Sequence, residues 1–538
     1  MIFTKRLLAP CAFFLLIFTG CKSIAQPDTV AVTLDYTKDD VVNSEIENIK
    51  RIKKDNPVQA LWRSTFLNRK DVTDECILAV QEELKTAVTN KDYFEAYRLM
   101  RSLKAVNAPV SKEYENAVDS SFMKEVPGLT PDEKRKPVSI TNCINATVTI
   151  WVDKGWKVKN GAGIADIDIG SGFFIDKRGY LVTNYHVIKD FVNPDYKGAK
   201  KLYVVQPENT EEKISAVVVG YDSALDLALL KVEIVPDYVF ELGASSDLEI
   251  GDKISVIGTP LGLEGTLTSG IISSINRKLT TMGSVFQIDA AVNSGNSGGP
   301  MIDKNNKVQA IVFAGMLQFQ GLNFAIPVEY LKQELPLLYN GGEIKHPWIG
   351  AFGHDFKTKG KSTALEIQYV MPGGSAHFAG LKDSDLIREI DGIPVKSLED
   401  FQYLILTYTP GTIVECKYET ADKQTKKTLL YLDKRPVAPV KAFFQSDLMN
   451  DSFIPLFGIQ MLPINNKSSP SFTITKIIKG SIADEMGFSS GDPVTVQDVT
   501  FDDEQKYVIV RLYVKRRSKG FLDIGLTIGA SYDSPYYF

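Results

Sequence analysis

Between Thr147 and Pro327 the chain is written in short apolar runs cut by glycine, and this texture constrains its fold more than any other feature. Gly172-Phe-Phe-Ile-Asp176, Tyr180-Leu-Val-Thr183, Ser215-Ala-Val-Val-Val219 and Lys307-Val-Gln-Ala-Ile-Val-Phe313 are examples. Runs of about four to seven residues, rich in β-branched and aromatic side chains and bounded by turns, predict an all-β barrel or sandwich. Helices of ordinary length do not fit between those turns.

The preceding stretch reads differently. Asp74 is placed to cap a helix with Ile77, Leu84 and Val88 on one face and Val80 alongside. Thr89-Asn90-Lys91-Asp92 makes a turn, and Phe94, Tyr97 and Met100 or Arg101 continue at helical spacing. This is an αα-hairpin in pattern, faintly like a tetratricopeptide unit but without a repeat at fixed period. Pro127, Pro131 and Pro137 around Lys134-Arg135-Lys136 mark a linker.

After the β-rich stretch come two segments that resemble each other. Gly373-Gly374-Ser375-Ala376 leads to Gly380-Leu381 and Asp385-Leu386-Ile387, while Gly480-Ser481-Ile482-Ala483 leads to Gly487-Phe488 and Asp492-Pro493-Val494. Alanine, glycine, apolar residue and aspartate keep the same spacing, which predicts a duplicated module mixing strands with a helix.

Composition narrows the function. The chain has 538 residues, 61 basic and 66 acidic side chains and a formal net charge of −5. At about 150 residues per domain, several folded units are expected. The mild acidity argues against nucleic-acid binding, which normally needs a basic face. Four histidines with no His-Glu-x-x-His helix, and five scattered cysteines, give no motif for a metal site and imply no cofactor. Cys76, Cys143 and Cys416 are expected to be buried free thiols.

The N-terminus carries Lys5 and Arg6 before an apolar run from Leu7 to Phe18, too short to span a membrane. That run ends Phe18-Thr19-Gly20-Cys21, which resembles a bacterial lipobox and implies lipidation at Cys21; cleavage after Ala25 is the alternative.

Serine-based peptide hydrolysis needs a hydroxyl, a base, an anion to hold the base, and N–H donors for the oxyanion. The β-rich stretch holds one histidine, His186, in Thr183-Asn184-Tyr185-His186-Val187. Asp226 follows, at the start of an apolar strand, with Asp222 as its rival for the role of anion. Ser297 lies in Asn293-Ser-Gly-Asn-Ser-Gly-Gly-Pro300, where glycines permit a tight turn that can aim the Gly295 and Ser297 N–H groups at one oxygen. The order His, Asp, Ser is that of chymotrypsin-like enzymes.

At these residues the chain resembles the HtrA (DegP-like) serine proteases. Supporting stretches are Gly170-Ser-Gly-Phe-Phe-Ile-Asp176, Gly251-Asp252, Ile257-Gly-Thr-Pro-Leu-Gly262 and Asn323-Phe-Ala-Ile-Pro327. The resemblance implies a multidomain fold: an all-β, trypsin-like double β-barrel protease domain, two α+β PDZ domains and a small N-terminal α-helical region. It makes His186 the base, Asp226 its orienting anion and Ser297 the nucleophile. It places peptide-binding loops at Trp348-Ile349-Gly350-Ala351 and Phe457-Gly458-Ile459. Ser397-Leu-Glu-Asp400 resembles an N-cap box that would put Phe401, Leu404 and Ile405 on the helix beside the first groove. The second copy has Val508-Ile509-Val510 where that helix should be.

The implied organisation is a signal peptide at 1–20, a tether at 21–44, helices at 45–126, a linker at 127–139 and the protease at 140–336. PDZ domains follow at 343–435 and 453–531, with a linker at 436–452 and an aromatic tail at 532–538. The implied activity is ATP-independent endoproteolysis of misfolded, unfolded or mislocalised proteins in the bacterial cell envelope, lipid-anchored and either periplasm-facing or surface-exposed. PDZ domains binding C-terminal peptides would regulate it, and assembly would be a homotrimer or a higher multiple. A chaperone or scaffold, and a regulatory protease with one membrane-protein target, are the alternatives. Finally, Ser534-Pro-Tyr-Tyr-Phe538 is apolar enough to occupy one of the chain's own PDZ grooves.

Overall fold

The computed structural model describes residues 27, 30–31, 34–121, 125–159, 161–196, 200–259, 265–278, 282–293, 295–315, 322–465, 471–516 and 522–538. Cys21 and its lipobox lie outside them, as does Pro260–Gly262 of the glycine-rich stretch after Ile257. The chain divides into two compact units, one of residues 31–439 with 533–538, the other containing 440–532.

Five helices open the first unit: α1 (Asp39–Lys53), α2 (Pro57–Ser64), α3 (Lys70–Thr89), α4 (Tyr93–Ala105) and α5 (Lys112–Ser121). Helix α1 begins inside the stretch expected to be a tether, because Ile46 and Ile49 bury one side of it. Asp74 lies within α3 rather than at its cap. The turn to α4 is where the sequence puts it: Lys91 is left-handed, and the Asp92 side chain accepts the Glu95 N–H. Val80, Leu84, Leu99 and Met100 meet in the core of this layer.

Helix α6 (Ile140–Asn145) leads into β1 (Thr147–Lys159), β2 (Ala162–Asp176) and β3 (Tyr180–Thr183), then α7 (Tyr185–Val192). Strands β4 (Lys201–Gln206), β5 (Asn209–Asp222) and β6 (Leu227–Val232) follow. They form a seven-stranded sheet in the order β13-β5-β4-β1-β2-β3-β6, where β13 is Gly342–Glu343, and the β5–β6 pairing rolls it shut. Every second residue of β1, Val148, Ile150 and Val152, points into this barrel, as strand geometry requires. Strands β7 (Lys253–Gly258), β8 (Thr266–Arg277), β9 (Val285–Ile288), β10 (Pro300–Ile302), β11 (Val308–Gly315) and β12 (Asn323–Pro327) close a second barrel. Its interior holds Val256, Ile272, Ile288, Met301 and Val312. Helix α8 (Val328–Asn340) leaves the second barrel toward the first module.

That module contains β14 (Pro347–Trp348), β15 (Ala351–Thr358), β16 (Lys361–Val370), α9 (Ser375–Phe378), β17 (Leu386–Ile390), β18 (Ile393–Pro394), α10 (Leu398–Ile405), β19 (Ile413–Glu419), β20 (Thr425–Tyr431) and β21 (Asp433–Lys434). Its main sheet runs β15-β16-β17-β19-β20 and leaves β15 as an edge. The Ser397 hydroxyl accepts the Asp400 N–H at 3.0 Å, so the expected N-cap starts α10.

The second unit holds α11 (Pro439–Ser446), α12 (Met449–Phe457), β22 (Ile459–Asn465), β23 (Ser471–Ile477), α13 (Ile482–Glu485), β24 (Pro493–Asp502), β25 (Tyr507–Arg516) and β26 (Leu522–Ser531). Helices thus stand where a linker at 436–452 is expected. Val440, Phe443 and Phe444 recur at helical spacing and are fully buried, and Pro439 suits a first helical turn. The duplicated motif is repeated bond for bond. Leu381 and Phe488 donate to the alanine carbonyls of Ala376 and Ala483, each at 3.0 Å. The Asp385 and Asp492 carboxylates accept the N–H groups of Lys382 and Ser489.

The N-terminal helices pack on the first module. Trp62, 2% exposed, stacks on Tyr431 at 5.6 Å and donates its indole N–H to the Leu429 carbonyl at 2.8 Å. Arg98 donates to the Gly411 carbonyl, and the Ile413 N–H to the Ser102 hydroxyl. Trp62→Ala is expected to cost about 3–5 kcal/mol in denaturant unfolding, the usual range for emptying a buried tryptophan site. It should also make residues 39–121 susceptible to limited proteolysis.

Candidate active site

His186 sits in the first turn of α7, directly after β3, so the barrel wall fixes its backbone. The Asp226 carboxylate grips it twice. Oδ1 accepts the His186 backbone N–H at 2.8 Å, and Oδ2 lies 2.7 Å from Nδ1. An anion there makes Nδ1 the protonated nitrogen and leaves Nε2 free to act as a base. Asp226 reaches this position through a left-handed backbone (φ 57°), a conformation that aspartate adopts more readily than most residues. The Asn184 side-chain amide steadies the turn by donating to the Asp226 carbonyl at 2.8 Å.

Asp222 does not hold His186. It is wholly buried, and its Oδ1 accepts the Ala224 and Leu225 N–H groups and His346 Nε2 at 2.9 Å. Asp222, His346 and Glu334 of α8 bring their side-chain ligand atoms within 4.8 Å of one another. Among the described residues neither Glu334 oxygen has a hydrogen-bond partner. Burial, with Asp222 adding repulsion, pushes the Glu334 carboxyl well above the usual carboxylate range. The neutral acid is the form that fits there. Asp222, through the Ala224 and Leu225 N–H groups and His346, holds the loop that leads to Asp226.

Ser297 stands on the turn after β9. Gly298 there has φ 86°, and a Cβ would strike the Ser171 carbonyl and the Thr183 hydroxyl, so glycine is required. The Gly298 N–H donates to the Val312 carbonyl at 2.7 Å and the Gly299 N–H to Asn296 at 2.9 Å. Among the described residues neither the Gly295 nor the Ser297 N–H has a partner, as donors reserved for a bound oxyanion would require. The Ser297 hydroxyl donates to the Phe313 carbonyl at 3.2 Å, and no hydrogen bond joins it to His186.

Ser171 fastens this turn to the first barrel. Its N–H donates to the Ser297 carbonyl at 2.7 Å, its hydroxyl donates to the Gly295 carbonyl at 2.6 Å, and its oxygen accepts the Thr259 N–H. The sequence signals the Gly170-Ser-Gly172 stretch but not this positioning role. Asn184, Glu334 and His346 are likewise missed, because their partners lie far away in sequence.

The first module presents its expected residues together. Trp348 pairs with Asp433, Gly350 is left-handed, and Ala351 opens β15 beside α10. In the second unit Phe457 ends α12, Gly458 is its left-handed cap and Ile459 begins β22. There β24 passes to β25 by the turn 503–506, so no helix stands at the place in the chain that α10 takes between β18 and β19 of the first module. Cys76, Cys143 and Cys416 are free and buried, and burial pushes the Cys143 thiol up to about 12.

Two closed antiparallel barrels with histidine, aspartate and serine in that chain order define a trypsin-like peptidase domain, and the model of that domain matches residues 170–311. A "TP0546 family PDZ domain" model matches 440–532, and a domain of unknown function matches 40–122. A protein of Rhizobium meliloti named "Probable periplasmic serine endoprotease DegP-like" is 30% identical over 385 residues, covering 68% of this chain and 74% of its own. The chain belongs to that DegP-like, HtrA-type serine endoprotease family. A protein of Halomonas elongata with the same name is 36% identical over 266 residues, which cover 46% of this chain and 53% of that one. The chain therefore spans only about half the length of some relatives it matches. The solved structure "HtrA-type protease AlgW with decapeptide" is 24% identical, covering 56% of this chain and 99% of its own at a TM-score of 0.46, too low to bear on function.

Glu334→Gln provides a test of the buried trio. A carboxyl whose folded pKa is raised above its unfolded value of about 4.3 stabilises the fold at low pH and loses that contribution as pH rises toward the folded value. A glutamine amide cannot ionise. The melting temperature of the variant relative to wild type should therefore rise between pH 5 and pH 8, measured by scanning calorimetry.

Proposed function

We propose that this chain is a serine endopeptidase of the bacterial envelope that cleaves unfolded or mislocalised proteins without ATP. The observation that supports this most is the double grip of Asp226 on His186, with Ser297 across the barrel interface on a turn whose Gly295 and Ser297 N–H groups find no partner among the described residues. In the first step His186 Nε2 takes the Ser297 proton as Oγ adds to the scissile carbonyl. The oxygen becomes an anion facing the Gly295 and Ser297 N–H groups. The imidazolium then protonates the departing amine, leaving an acyl-enzyme that water hydrolyses by the same steps. Because the Ser297 hydroxyl rests on the Phe313 carbonyl, it must turn to His186 before attack. This is a resting geometry that substrate or a regulatory peptide completes.

The first module supplies the peptide site, between the edge of β15 and α10. Family resemblance supports assembly as a homotrimer or a multiple of it. The Gly20-Cys21 junction after an apolar run supports a lipid anchor on Cys21.

Ser297→Ala should lower turnover of an unfolded protein substrate by about 10⁶-fold while leaving the fold intact, with His186→Ala similar. Full activity in folded Ser297→Ala protein would sink the nucleophile assignment. For the anchor, Cys21→Ala should move the expressed protein from the detergent phase to the aqueous phase. An unacylated mature N-terminus at Gln26 in the wild type would refute lipidation.

A further inference from the structure

Strand β15 is a sheet edge, and an edge leaves backbone N–H and C=O groups seeking partners. Residues 536–538 of the same chain take them. The Ala351 N–H donates to the Phe538 oxygen at 2.7 Å, the Phe538 N–H donates to the Ala351 carbonyl at 2.9 Å, and the Gly353 N–H donates to the Tyr536 carbonyl at 3.2 Å. Phe352 and Tyr537 form an antiparallel bridge. The segment is an added strand in the space between β15 and α10.

Its side chains fill the groove. Phe538 is 4% exposed, lies 5.1 Å from the Phe401 ring and shares a pocket with Trp348, Ile349, Ile405 and Met282. Tyr536 stacks on His354 at 4.1 Å. The Gln402 side-chain amide on α10 donates to the Pro535 carbonyl at 2.6 Å, and Arg435 donates to the Tyr537 carbonyl while pairing with Asp533. These are the backbone pairing and alternate-residue pockets with which a sheet edge recognises an extended peptide.

The filled groove also touches the protease barrels. Met282 lines the Phe538 pocket, and Lys278 lies over the Tyr536 ring at 5.6 Å. Ser284 bonds Glu399 of α10. Residues 282–284 run directly into β9 and from there to the Ser297 turn.

We propose that residues 533–538 are a tethered occupant of the first-module groove, which an incoming peptide with an aromatic end must displace. This rests on the peptide-binding reading of that module and not on the protease reading. A short tether gives an effective concentration of about 1 mM, so a tail of about 10 μM intrinsic affinity for the groove would weaken a competing peptide roughly 100-fold relative to an emptied groove.

The test is fluorescence anisotropy with a labelled peptide ending Tyr-Tyr-Phe, which reads binding without proteolysis. Deleting Tyr536–Phe538, or introducing Phe538→Asp in the full chain, should tighten binding at least 10-fold. Ile405→Arg added to the deletion should abolish it. Hydrogen exchange in the unaltered chain supplies an arm free of folding defects, since saturating peptide should release the protected Phe538 amide. Equal affinity for intact and emptied chains, a gain that survives Ile405→Arg, or Phe538 protection unmoved by saturating peptide would each overturn the tethered occupant. Failure of the emptied chain to bind peptide at all would overturn the groove itself as well.

Discussion

Two hydrogen-bond donors of His186, one in the backbone and one in the ring, converge on the Asp226 carboxylate, and the chemistry of the chain hangs on that double contact. A single bond would leave the imidazole free to pivot. Two bonds from groups that share one residue fix both its position and its tautomer. The left-handed backbone of Asp226, just before β6, goes with that contact, because it turns the chain where the carboxylate meets His186. Asn184, bonded to the Asp226 carbonyl, and Asp222, bonded to Ala224, Leu225 and His346, hold the same turn from two further sides. His186 and Asp226 come from one barrel and Ser297 from the other, so the site also needs a fastening across the interface. Ser171 supplies it through its N–H and its hydroxyl.

The proposed catalytic residues stand out in the sequence because three residue types occur in a known order within a texture that permits little besides strands. The duplicated module was legible for a similar reason: its alanine, glycine and aspartate each serve a local bond, so their spacing survives in sequence. What escaped is long-range. Nothing local to Glu334, on a helix with apolar neighbours, announces that its carboxyl will face Asp222 and His346. Helices α11 and α12 hid behind prolines at 436, 439 and 455 that suggest a linker, although Val440, Phe443 and Phe444 carried the helical period. Asp74 had the right chemistry for a cap and the wrong place, because the helix gains a turn before it.

The aromatic tail lies between these cases. Its apolar character is plain in Tyr536-Tyr537-Phe538, and a self-contact was conceivable from sequence. Which groove it enters follows only from the sheet order, which leaves one edge of β15 open, and from α10, which walls the other side. The second module has no helix between β24 and β25, where the first has α10 between β18 and β19, so two copies of one motif have diverged in structure.

The first module is fastened on two of its sides. Trp62, Arg98 and Ser102 of the N-terminal helices hold its β19–β20 side, while Ser284, Tyr330 and Gln333 meet Glu399 and Tyr403 on its α10 side. A body clamped in this way loses its rigid-body freedom when the chain folds, not when a ligand arrives. Ligand binding then carries little orientational entropy loss for the module itself. The free energy of filling the groove then goes into the groove's own contacts, including Met282 beside the Phe538 pocket, and not into immobilising the module.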